Sequence, residues 1–523
     1  MRSQPIPDCQ GSIARGWDFL RRFLAFLAAL IATAAFSACR TRTPENADAA
    51  PYEKTLQPRL EELMRRQEIP GLAIAIVDDG RVVYEHGFGV MDLKRAREPV
   101  TPRSLFHMAS ITKTFVATSA MQLVEKGRMR LDAPITTYLP YFRMDDPRAA
   151  AITVQQLLTH TAGMPDVADY EWDRPQYDDG ALERYVRSLA PLRLAFAPGE
   201  RFQYSNIAYE ILGDAVAKVS GAPFERCVRD GILVPLKMTD STLLVKETTP
   251  AVMTWGHELD GQGRPFVSAV YPYNRAHTPS SNLHSNVLDM TRWAIANLDG
   301  GELGGVRIIE RATRDRMWTA QRRIRADGPD ERREAIGLSW FLGEHRGRRI
   351  VSHGGGDTGY VTDLVLVPEG RKAVVWMANV DWMSHDPITN AALDAVMGVG
   401  PAPIEAKRDA GRVLIAAYRE GGLDAALARG EALRADRSGL YDADEGALNE
   451  LGYFVLGEKK AEDAVRVFRK NTEMFPKSAN AQDSLGEACE AMGDTACARA
   501  AYARAVELDP GLRHAADALA ALR

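Results

Sequence analysis

Cysteine is scarce in this sequence: five residues among 523, and no two of them form a C-x-x-C pair. Because the five are widely scattered, the sequence predicts no disulfide framework of the kind that holds small secreted domains together. Histidine is equally dispersed, and no cluster of cysteine and histidine has the spacing of a metal site. We therefore expect neither a metal nor another cofactor.

An excess of basic residues is also lacking. The chain has 65 Lys and Arg against 70 Asp and Glu, a formal net charge of −5 and a sequence pI near 6.1. This balance argues against a nucleic-acid partner. With 46% hydrophobic residues and 523 positions, the chain has the composition of an ordinary globular protein of two or more domains.

The N-terminal region has an apolar run too short for a confident membrane span. Residues 23–36 are almost all apolar, they follow an arginine-containing segment, and Ser37-Ala38-Cys39 comes next. A charged start, a short apolar run and a small-residue exit are typical of a secretory signal. We therefore predict a signal peptide over residues 1–39, export of the protein, and a polar tether over residues 40–54.

The end of this segment, Phe36-Ser37-Ala38-Cys39, resembles a bacterial lipobox. The resemblance makes Cys39 a lipidation candidate, although Phe36 departs from the usual leucine. A plain cleaved signal and an uncleaved anchor are the alternatives. The expected location is periplasmic or membrane-anchored, and any membrane association would come only from this N-terminal lipid or signal anchor.

The stretch His107-Met108-Ala109-Ser110-Ile111-Thr112-Lys113 is the strongest candidate for chemistry. A helix that begins near Ser110 would place Ser110 and Lys113, three residues apart, on one face. A serine nucleophile needs a proton acceptor, and a desolvated lysine can be one. The start of a helix also offers unpaired N–H groups to a developing negative charge. Alone, S-x-x-K is a motif that chance supplies easily.

Around this motif the sequence predicts an α/β (α+β) domain with an antiparallel sheet. Residues 71–77 and 81–89 form a hairpin, and short strands are expected at 336–342, 350–352, 361–367 and 373–377. Helices are expected at 56–68, 116–127, 207–219 and 287–298.

Several further segments follow in a fixed order. They are Leu131-Asp132-Ala133-Pro134, Leu157-Leu158-Thr159-His160-Thr161-Ala162-Gly163-Met164-Pro165, Pro198-Gly199-Glu200-Arg201-Phe202-Gln203-Tyr204-Ser205-Asn206 and Pro235-Leu236-Lys237-Met238. Together with the Ser110 motif they resemble the serine beta-lactamase-related family of class C type. That family also holds penicillin-binding carboxypeptidases, D-aminopeptidases and esterases. The resemblance covers residues 55–398 and implies a beta-lactamase/transpeptidase-like fold, an antiparallel sheet flanked by helices with an all-helical subdomain.

The resemblance implies roles for Tyr204 and Asn206. Tyr204 would share the serine proton with Lys113 and return it to the leaving group, and Asn206 would hydrogen-bond Lys113 or the substrate. Phenolate character near neutral pH would need the lysine charge beside it. Read without the family, Tyr204-Ser205-Asn206 is a polar turn with a helix N-cap.

The third motif of the family falls at His353-Gly354-Gly355-Gly356. The resemblance implies that His353, Gly355 and Gly356 border the substrate, with the N–H groups of Ser110 and Gly356 forming the oxyanion hole. An exposed hairpin tip is the alternative. Many relatives have lysine where this chain has His353, and a mostly neutral histidine is a poor partner for a substrate carboxylate.

The expected activity is therefore ester or D-amino-acid amide and peptide cleavage through a Ser110 acyl-enzyme. Beta-lactam or D-alanyl-D-alanine hydrolysis is an alternative within the family. A non-catalytic sensor of cell-wall peptides is an alternative of another class. We assign no catalytic role to His160 or to the segment 278–285.

After a linker at 399–411, residues 412–523 have a 34-residue period. It relates Leu451 to Leu485, Gly452 to Gly486, Ala464 to Ala498, Phe468 to Tyr502 and Pro476 to Pro510. This pattern resembles tetratricopeptide repeats. A groove for a protein partner and a helical buttress are both compatible with it.

Overall fold

The computed structural model describes residues 49–94, 97–167, 169–324, 331–399 and 406–522. The predicted signal peptide with Cys39, and most of the predicted tether, lie outside these residues. Within the described ranges, no helix combines the length and the apolar character needed to cross a membrane.

The helices of the described chain fall into two groups along the sequence. Those of the first domain are α1 Ala50–Thr55, α2 Gln57–Gln67, α3 Thr112–Glu125, α4 Val154–Leu158, α5 Ala181–Ser188, α6 Asn206–Ser220, α7 Phe224–Val228, α8 Thr278–Ser281, α9 Val287–Leu298, α10 Arg311–Met317 and α11 Asp386–Val396. Those of the C-terminal domain are α12 Ala410–Ala435, α13 Glu445–Gly457, α14 Ala461–Met474, α15 Ala479–Met492, α16 Thr495–Leu508 and α17 Arg513–Ala521.

The main sheet has eight strands in the order β2-β1-β14-β13-β12-β11-β10-β9. Their bounds are β1 Gly71–Asp78, β2 Arg81–Gly89, β9 Arg322–Arg323, β10 Ala335–Ile336, β11 Phe341–His345, β12 Arg348–Asp357, β13 Tyr360–Val367 and β14 Lys372–Ala378. Short two-stranded ribbons are formed by β3 Phe106–His107 with β6 His284–Ser285, β4 His257–Leu259 with β5 Pro265–Val267, β7 Glu302–Leu303 with β8 Val306–Arg307, and β15 Arg408–Asp409 with β16 Tyr441–Asp442.

Every pairing in the main sheet is antiparallel, and β14 joins the opening hairpin to the later strands. The hairpin and the antiparallel sheet expected from the sequence are therefore confirmed. One boundary differs: β12 continues through Gly354–Gly356 to Asp357, where the sequence suggested a connection between strands. The glycines pair in register with β13, Gly355 opposite Thr362, so they belong to the ladder.

Helices cover both faces of the sheet, which explains why β13 is buried along its whole length. Val375 and Met377 lie in the main apolar core, and α9 packs against β14 on this side. Trp376, between them, points to the opposite face and donates its indole N–H to Thr389 of α11 at 2.8 Å. This two-sided burial gives the hydrophobic runs seen in these strands.

The helix after the Ser110 motif lies at the centre of the first domain. Eleven of the 14 residues of α3 are buried, and Phe115 stacks on Trp293 of α9 with ring centres 4.2 Å apart. A helix buried on almost all sides cannot shift without disturbing the core. The helix expected over residues 116–127 forms most of α3, and it is buried.

The C-terminal domain is helical, as expected, and its packing repeats every 34 residues. A side chain on Gly452 would overlap the ring of Phe468, and one on Gly486 would overlap Tyr502 in the same way. The long helix α12 is kinked at Gly422, whose φ of 76° is not helical, so it divides into two helices.

Two boundaries predicted from composition are wrong. Residues 408–411 of the expected linker belong to β15 and the start of α12, because β15 pairs with β16. Residues 50–54 of the expected tether belong to α1, whose Tyr52 is buried against Tyr84 with ring centres 5.7 Å apart.

One disulfide joins Cys489 of α15 to Cys497 of α16, with Cα atoms 5.7 Å apart. The sequence predicted no disulfide framework and did not anticipate this pair, which the turn between α15 and α16 brings together. Cys227 is free.

Candidate active site

Ser110 lies in a short 3-10 helix of one turn, Ala109–Ile111, and α3 begins two residues later at Thr112. The preceding residue, Ala109, has a φ of +47°, a left-handed conformation that costs energy for a residue with a side chain. This bend leaves the Ser110 side chain half-buried at the edge of the core. The expected helix start is thus shifted by two residues, and the turn keeps Ser110 and Lys113 on the same side.

Lys113 is fully buried and makes three hydrogen bonds. Its Nζ donates to Ser110 Oγ at 2.9 Å, to Asn206 Oδ1 at 2.6 Å and to the carbonyl oxygen of Ser280 at 2.8 Å. Burial lowers the pKa of Lys113 to about 8, against the partial opposition of nearby carboxylates, of which Glu210 is the strongest. A lysine with that pKa is neutral in an appreciable fraction of molecules near neutral pH and can accept a proton.

Tyr204 completes the group around the serine. Its hydroxyl interacts with the Ser110 side chain, and Lys113 Nζ lies 5.1 Å from the centre of its ring. Burial raises the pKa of Tyr204 well above its usual value, and the interaction with Ser110 only partly offsets this. The lysine charge is thus insufficient to produce the phenolate that the sequence suggested. The neutral phenol is the form that the site favours.

Asn206 lies at the start of α6, directly after its N-cap Ser205. The Asn206 amide is held by Asp166, whose Oδ1 and Oδ2 accept from Nδ2 at 3.0 and 3.1 Å. The same carboxylate accepts the backbone N–H of Asn206 at 2.9 Å. The amide oxygen is thereby turned toward Lys113.

His160 supports the tyrosine from behind. Its ring stacks on Tyr204 with centres 4.3 Å apart, and Nδ1 accepts the backbone N–H of Ser205 at 3.1 Å. Burial, with the charge of Lys113 adding to it, holds the pKa of His160 well below its usual range. The structural role expected for this histidine agrees with a neutral, buried ring.

His353 is buried beside the same group and not exposed toward a ligand. It is 1% exposed, and its ring lies 5.3 Å from that of Phe341 and 6.5 Å from that of Tyr204. Burial, followed by the charge of Lys113, lowers the pKa of His353 to about 3. The ring is therefore neutral at any physiological pH and offers no cation to a substrate carboxylate.

The glycines after His353 have different surroundings. A side chain on Gly355 would overlap the carbonyl oxygen of Met108, so glycine is what allows β12 to lie against the Ser110 turn. A Cβ on Gly356 would meet no atom within 4 Å. Open space beside Gly356, next to the serine turn, is where an oxyanion site would be needed; the use of its N–H for that purpose stays a prediction.

Residues that the sequence did not single out tie the two sides of the site together. His107, just before the serine turn, bonds Asp357 through Nε2 at 2.9 Å, and Ser281 Oγ bonds the same carboxylate oxygen. The carbonyl of Ser280, in a segment given no catalytic role, accepts from Lys113. Asp166 was also missed, although it directly follows the Gly163-Met164-Pro165 block.

A cleft of about 940 Å³ opens beside Gly356 and Asp357. The stacked rings of Tyr170 and Trp172 line it on the side of the first domain, and residues of α12 and α13 line it on the other side. Three other aromatic residues of this domain, Trp255, Tyr271 and Tyr273, pack against neighbouring rings.

A group of potential metal ligands lies elsewhere, in the C-terminal helices. Asp483, Glu487 and His514 bring one ligand atom each to within 4.8 Å of one another. The His514 ring already hydrogen-bonds Asp483 at 2.9 Å, so an ion pair between neighbouring helices accounts for the group.

The family model for beta-lactamase matches residues 56–396. This covers well over half of the chain and spans the Ser110 motif, Tyr204 and the His353 strand. The chain belongs to the beta-lactamase family. The resemblance seen in the sequence and the fold that it implied are confirmed, and the prediction that the protein is an enzyme agrees with membership of a family of serine hydrolases.

Relatives of this beta-lactamase family member carry different names. Protein flp of Staphylococcus aureus (strain MRSA252) is 24% identical over 323 residues, 62% of each chain. Esterase EstB of Burkholderia gladioli is 32% identical over 230 residues, 42% of this chain and 57% of the esterase. The chain thus spans about three-fifths of the length of these curated relatives.

Among solved structures, the octameric penicillin-binding protein homologue from Pyrococcus abyssi is similar to this family member, with a TM-score of 0.56 and 28% identity. The similarity covers 66% of this chain and 77% of that one. It concerns the fold, and it leaves the activity to be argued from the site.

Proposed function

We propose that this protein is an exported serine hydrolase that cleaves an ester or amide bond through an acyl-enzyme on Ser110. The observation that carries the proposal is the contact of 2.9 Å between Ser110 Oγ and the buried Nζ of Lys113. A buried lysine whose pKa is lowered to about 8, in contact with a half-buried serine hydroxyl, is suited to proton transfer.

In the first step, neutral Lys113 takes the proton of Ser110 as Oγ forms a bond to the substrate carbonyl carbon. The carbonyl oxygen becomes an oxyanion, for which the N–H groups of Ser110 and Gly356 are the proposed donors. Two features support this proposal: the start of the turn before α3 leaves N–H groups without an intrahelical acceptor, and Gly355 lets β12 lie close to that turn.

In the second step, the bond between the carbonyl carbon and the leaving group breaks. Tyr204 donates its hydroxyl proton to the leaving oxygen or nitrogen and takes the proton held by Lys113. Lys113 is thereby neutral again, and Tyr204 is again a phenol. Its place beside Ser110 and the lysine supports this relay. Water then attacks the acyl group, loses a proton to Lys113, and the acid leaves as Ser110 regains its proton.

An ester, or a D-amino-acid amide or peptide, is the preferred substrate. The neutral, buried His353 supports this choice, since it cannot pair with the carboxylate of a beta-lactam or a peptide C-terminus. The similarity to an esterase over 230 residues points the same way.

One observation favours beta-lactam or D-alanyl-D-alanine hydrolysis as a second candidate. The guanidinium of Arg333 lies 5.2 Å from the centre of the Phe341 ring, and its charge reaches both Tyr204 and His353. An arginine there could supply the cation that His353 does not. Its position keeps the second candidate open to test.

A single panel separates these substrates. A short-chain aryl ester, a chromogenic cephalosporin and D-amino-acid amides are assayed with wild type, Ser110→Ala and the control Ser188→Ala, which changes an exposed serine outside the site. We expect ester or amide turnover that is lost in Ser110→Ala and kept in the control. Turnover that persists in Ser110→Ala would contradict the mechanism, and cephalosporin turnover alone would favour the second candidate. Ligand-induced stabilisation with no turnover at all would favour a peptide sensor.

Export forms part of the proposal. The arginine-led apolar run before Cys39 supports it, and so does the Cys489–Cys497 disulfide, since such bonds persist in oxidising compartments. Lipidation at Cys39 would place the protein in the membrane fraction, and Cys39→Ala would release it to the soluble fraction. Wild type found without lipid, in the soluble fraction, would contradict lipidation.

The C-terminal helices are proposed to be tetratricopeptide-like repeats. The equivalent packing of Gly452 on Phe468 and Gly486 on Tyr502 supports this reading. A protein partner for their exposed surface remains an expectation, to be checked by crosslinking in cells. On the side that faces the first domain, residues of α12 and α13 line the cleft beside Gly356.

A further inference from the structure

The cleft beside Gly356 is built by both domains. Asp357, Asp381 and the rings of Tyr170 and Trp172 come from the first domain, whereas Arg412 and Glu450 come from helices of the C-terminal domain. A ligand that extends from the serine past Gly356 would therefore contact the C-terminal helices.

The wall formed by the C-terminal domain is firmly attached. Arg408 is 2% exposed and donates to Glu68 at 2.6 Å and to the carbonyl oxygen of Gly263 at 2.8 Å. The N–H of the next residue, Asp409, donates to the carbonyl of Trp382 at 2.9 Å. Because these bonds lie at the start of α12, the residues of α12 and α13 that face the cleft keep a fixed position relative to the first domain.

Carboxylates outnumber cations in this cleft: six acidic residues line it, against Lys407 and Arg412. Three of the six have ordinary structural explanations. Asp409 and Asp444 cap the N-termini of α12 and α13, and Asp442 pairs with Lys407 at 3.4 Å.

The other three are Asp357, Asp381 and Glu450. Glu450 pairs with Arg412 at 3.5 Å, and the charge of the same arginine also acts on Asp381. His107 and Ser281 orient the Asp357 carboxylate through one oxygen, and the side chain stays 13% exposed. Asp381 accepts one bond, from the N–H of Gly359 at 3.1 Å.

The acid–base properties of Asp381 and Glu450 agree with a shortage of positive charge. Burial raises the pKa of Asp381 to about 6 and that of Glu450 to about 7, and the attraction of Arg412 does not cancel it. Carboxylates taken from water without an adequate cation behave in this way. A positive group of a ligand placed between them would restore the charge balance.

We propose that the C-terminal helical domain completes the substrate-binding cleft, and that this cleft holds a positively charged group of the substrate between Asp357 and Asp381 on one wall and Glu450 on the other. The group is a primary ammonium or a guanidinium, on a part of the substrate remote from the reacting carbonyl. This inference rests on the proposed serine hydrolase activity, whose cleft it describes.

The test compares matched esters that differ in one charge. Aryl esters of 6-aminohexanoic, hexanoic and adipic acid (its monoester) present a cation, a neutral chain and an anion on the acyl side. A second pair places an aminoalkyl or an alkyl group on the alcohol side. The measured quantity is the ratio of kcat/KM for the cationic over the neutral ester in wild type, Asp381→Asn, Glu450→Gln and Glu431→Gln. Glu431 is a matched control, since it pairs with Lys470 on the C-terminal domain away from the cleft.

We expect wild type to prefer the cationic ester of at least one pair by about tenfold or more, and to disfavour the adipate ester. The ratio should fall about threefold or more in Asp381→Asn and in Glu450→Gln, and stay at the wild-type value in Glu431→Gln. Equal turnover of both members of each pair, or a preference that survives both substitutions, would overturn the inference.

The proposed activity can fail separately. If no ester is turned over in a Ser110-dependent way, calorimetric binding of 6-aminohexanamide and hexanamide to the intact protein still tests the cleft. Tighter binding of the amine, weakened in Glu450→Gln, would support the cationic site. Equal or undetectable binding of both would refute it.

Discussion

The carboxylate of Asp166 accepts three hydrogen bonds from Asn206, one from the backbone N–H and two from the side-chain amide nitrogen. This leaves the amide oxygen as the acceptor for Lys113 at 2.6 Å. An asparagine side chain can otherwise rotate, so Asp166 fixes which end of the amide faces the lysine. The aspartate thus acts on the candidate base through another residue.

Replacing Asp166 by Asn should lower kcat about 10- to 100-fold with a smaller change in KM, because a misplaced base costs rate more than binding. It should also move the pH profile. Asp166 raises the pKa of Lys113, so its loss should shift the rise of kcat/KM to lower pH. The matched control is Asp169→Asn, an exposed neighbour paired with Arg174. An unchanged midpoint in Asp166→Asn would contradict this role.

The rate of the wild type should rise with pH through about 8. Lys113 must be neutral to accept the serine proton, and its pKa is lowered to about 8, so the active fraction increases as pH increases through that value. The measurement is kcat/KM for a neutral ester from pH 6 to 9.5. Lys113→Met should remove both the activity and the pH-dependent rise. A rate that is flat over this range would show that another group is the base.

Tyr204→Phe should reduce kcat by roughly 10²- to 10⁴-fold, the usual effect of losing a general acid. The ring and its stacking on His160 remain, so thermal unfolding should change little. Activated esters, whose leaving groups need no proton, should suffer less than amides. Tyr177→Phe, at an exposed tyrosine, is the control. An equal loss for activated esters and amides would argue against proton donation by Tyr204.

Acid should destabilise the protein in part through His353. Its pKa is about 3 in the folded chain and about 6.5 when unfolded, so the unfolded state binds the extra proton first. The stabilisation is present above pH 6.5 and is lost as pH falls toward 3, by at most about 1.4 kcal/mol per pH unit. Urea unfolding at pH 6.5 and 4.5 should show a smaller acid loss in His353→Asn than in wild type.

His514 provides a control, because its titration should change the stability with pH in the opposite direction from that of His353. Its pKa is raised, chiefly by the hydrogen bond to Asp483, so its contribution is full below the unfolded pKa and lost as pH rises. His514→Gln should therefore enlarge the acid loss. If His353→Asn also enlarged the loss of stability in acid, the conclusion that His353 is buried in its neutral form would be wrong.

The sequence allowed the fold of the first domain to be predicted, and its short ordered motifs singled out four residues that lie together in the structure. Ser110 and Lys113 are three residues apart in one turn, and Tyr204 and Asn206 are two apart at a helix start. Such spacings survive into the structure since local geometry fixes them. The alternating and buried patterns of β1 and β13 fixed the sheet for the same reason.

Contacts made through the backbone or across long separations could not be predicted. Lys113 uses the carbonyl of Ser280, which any residue type would offer, and the bond depends on how α8 packs. Asp357 and His107 are 250 residues apart and meet only because β12 lies against the serine turn. The burial that neutralises His353 likewise follows from packing and not from its neighbours in sequence.

The C-terminal helices show the same limit. The 34-residue period of these helices can be read from the sequence, but their attachment to the first domain cannot. The attachment depends on a hydrogen bond from buried Arg408 to Glu68, 340 residues away in the chain. Because the composition of residues 399–411 indicated a linker, the strand β15, which makes this contact, was not predicted. The cleft shared by both domains is therefore visible only in three dimensions.

Covalent labelling shows directly whether Ser110 is the nucleophile. Wild type, Ser110→Ala and Ser188→Ala are treated with a fluorophosphonate, and the modified residue is located by peptide mass mapping. The account predicts one phosphonyl group per chain, on Ser110, in wild type and in Ser188→Ala, and none in Ser110→Ala. A label on another residue, or equal labelling of Ser110→Ala, would contradict it.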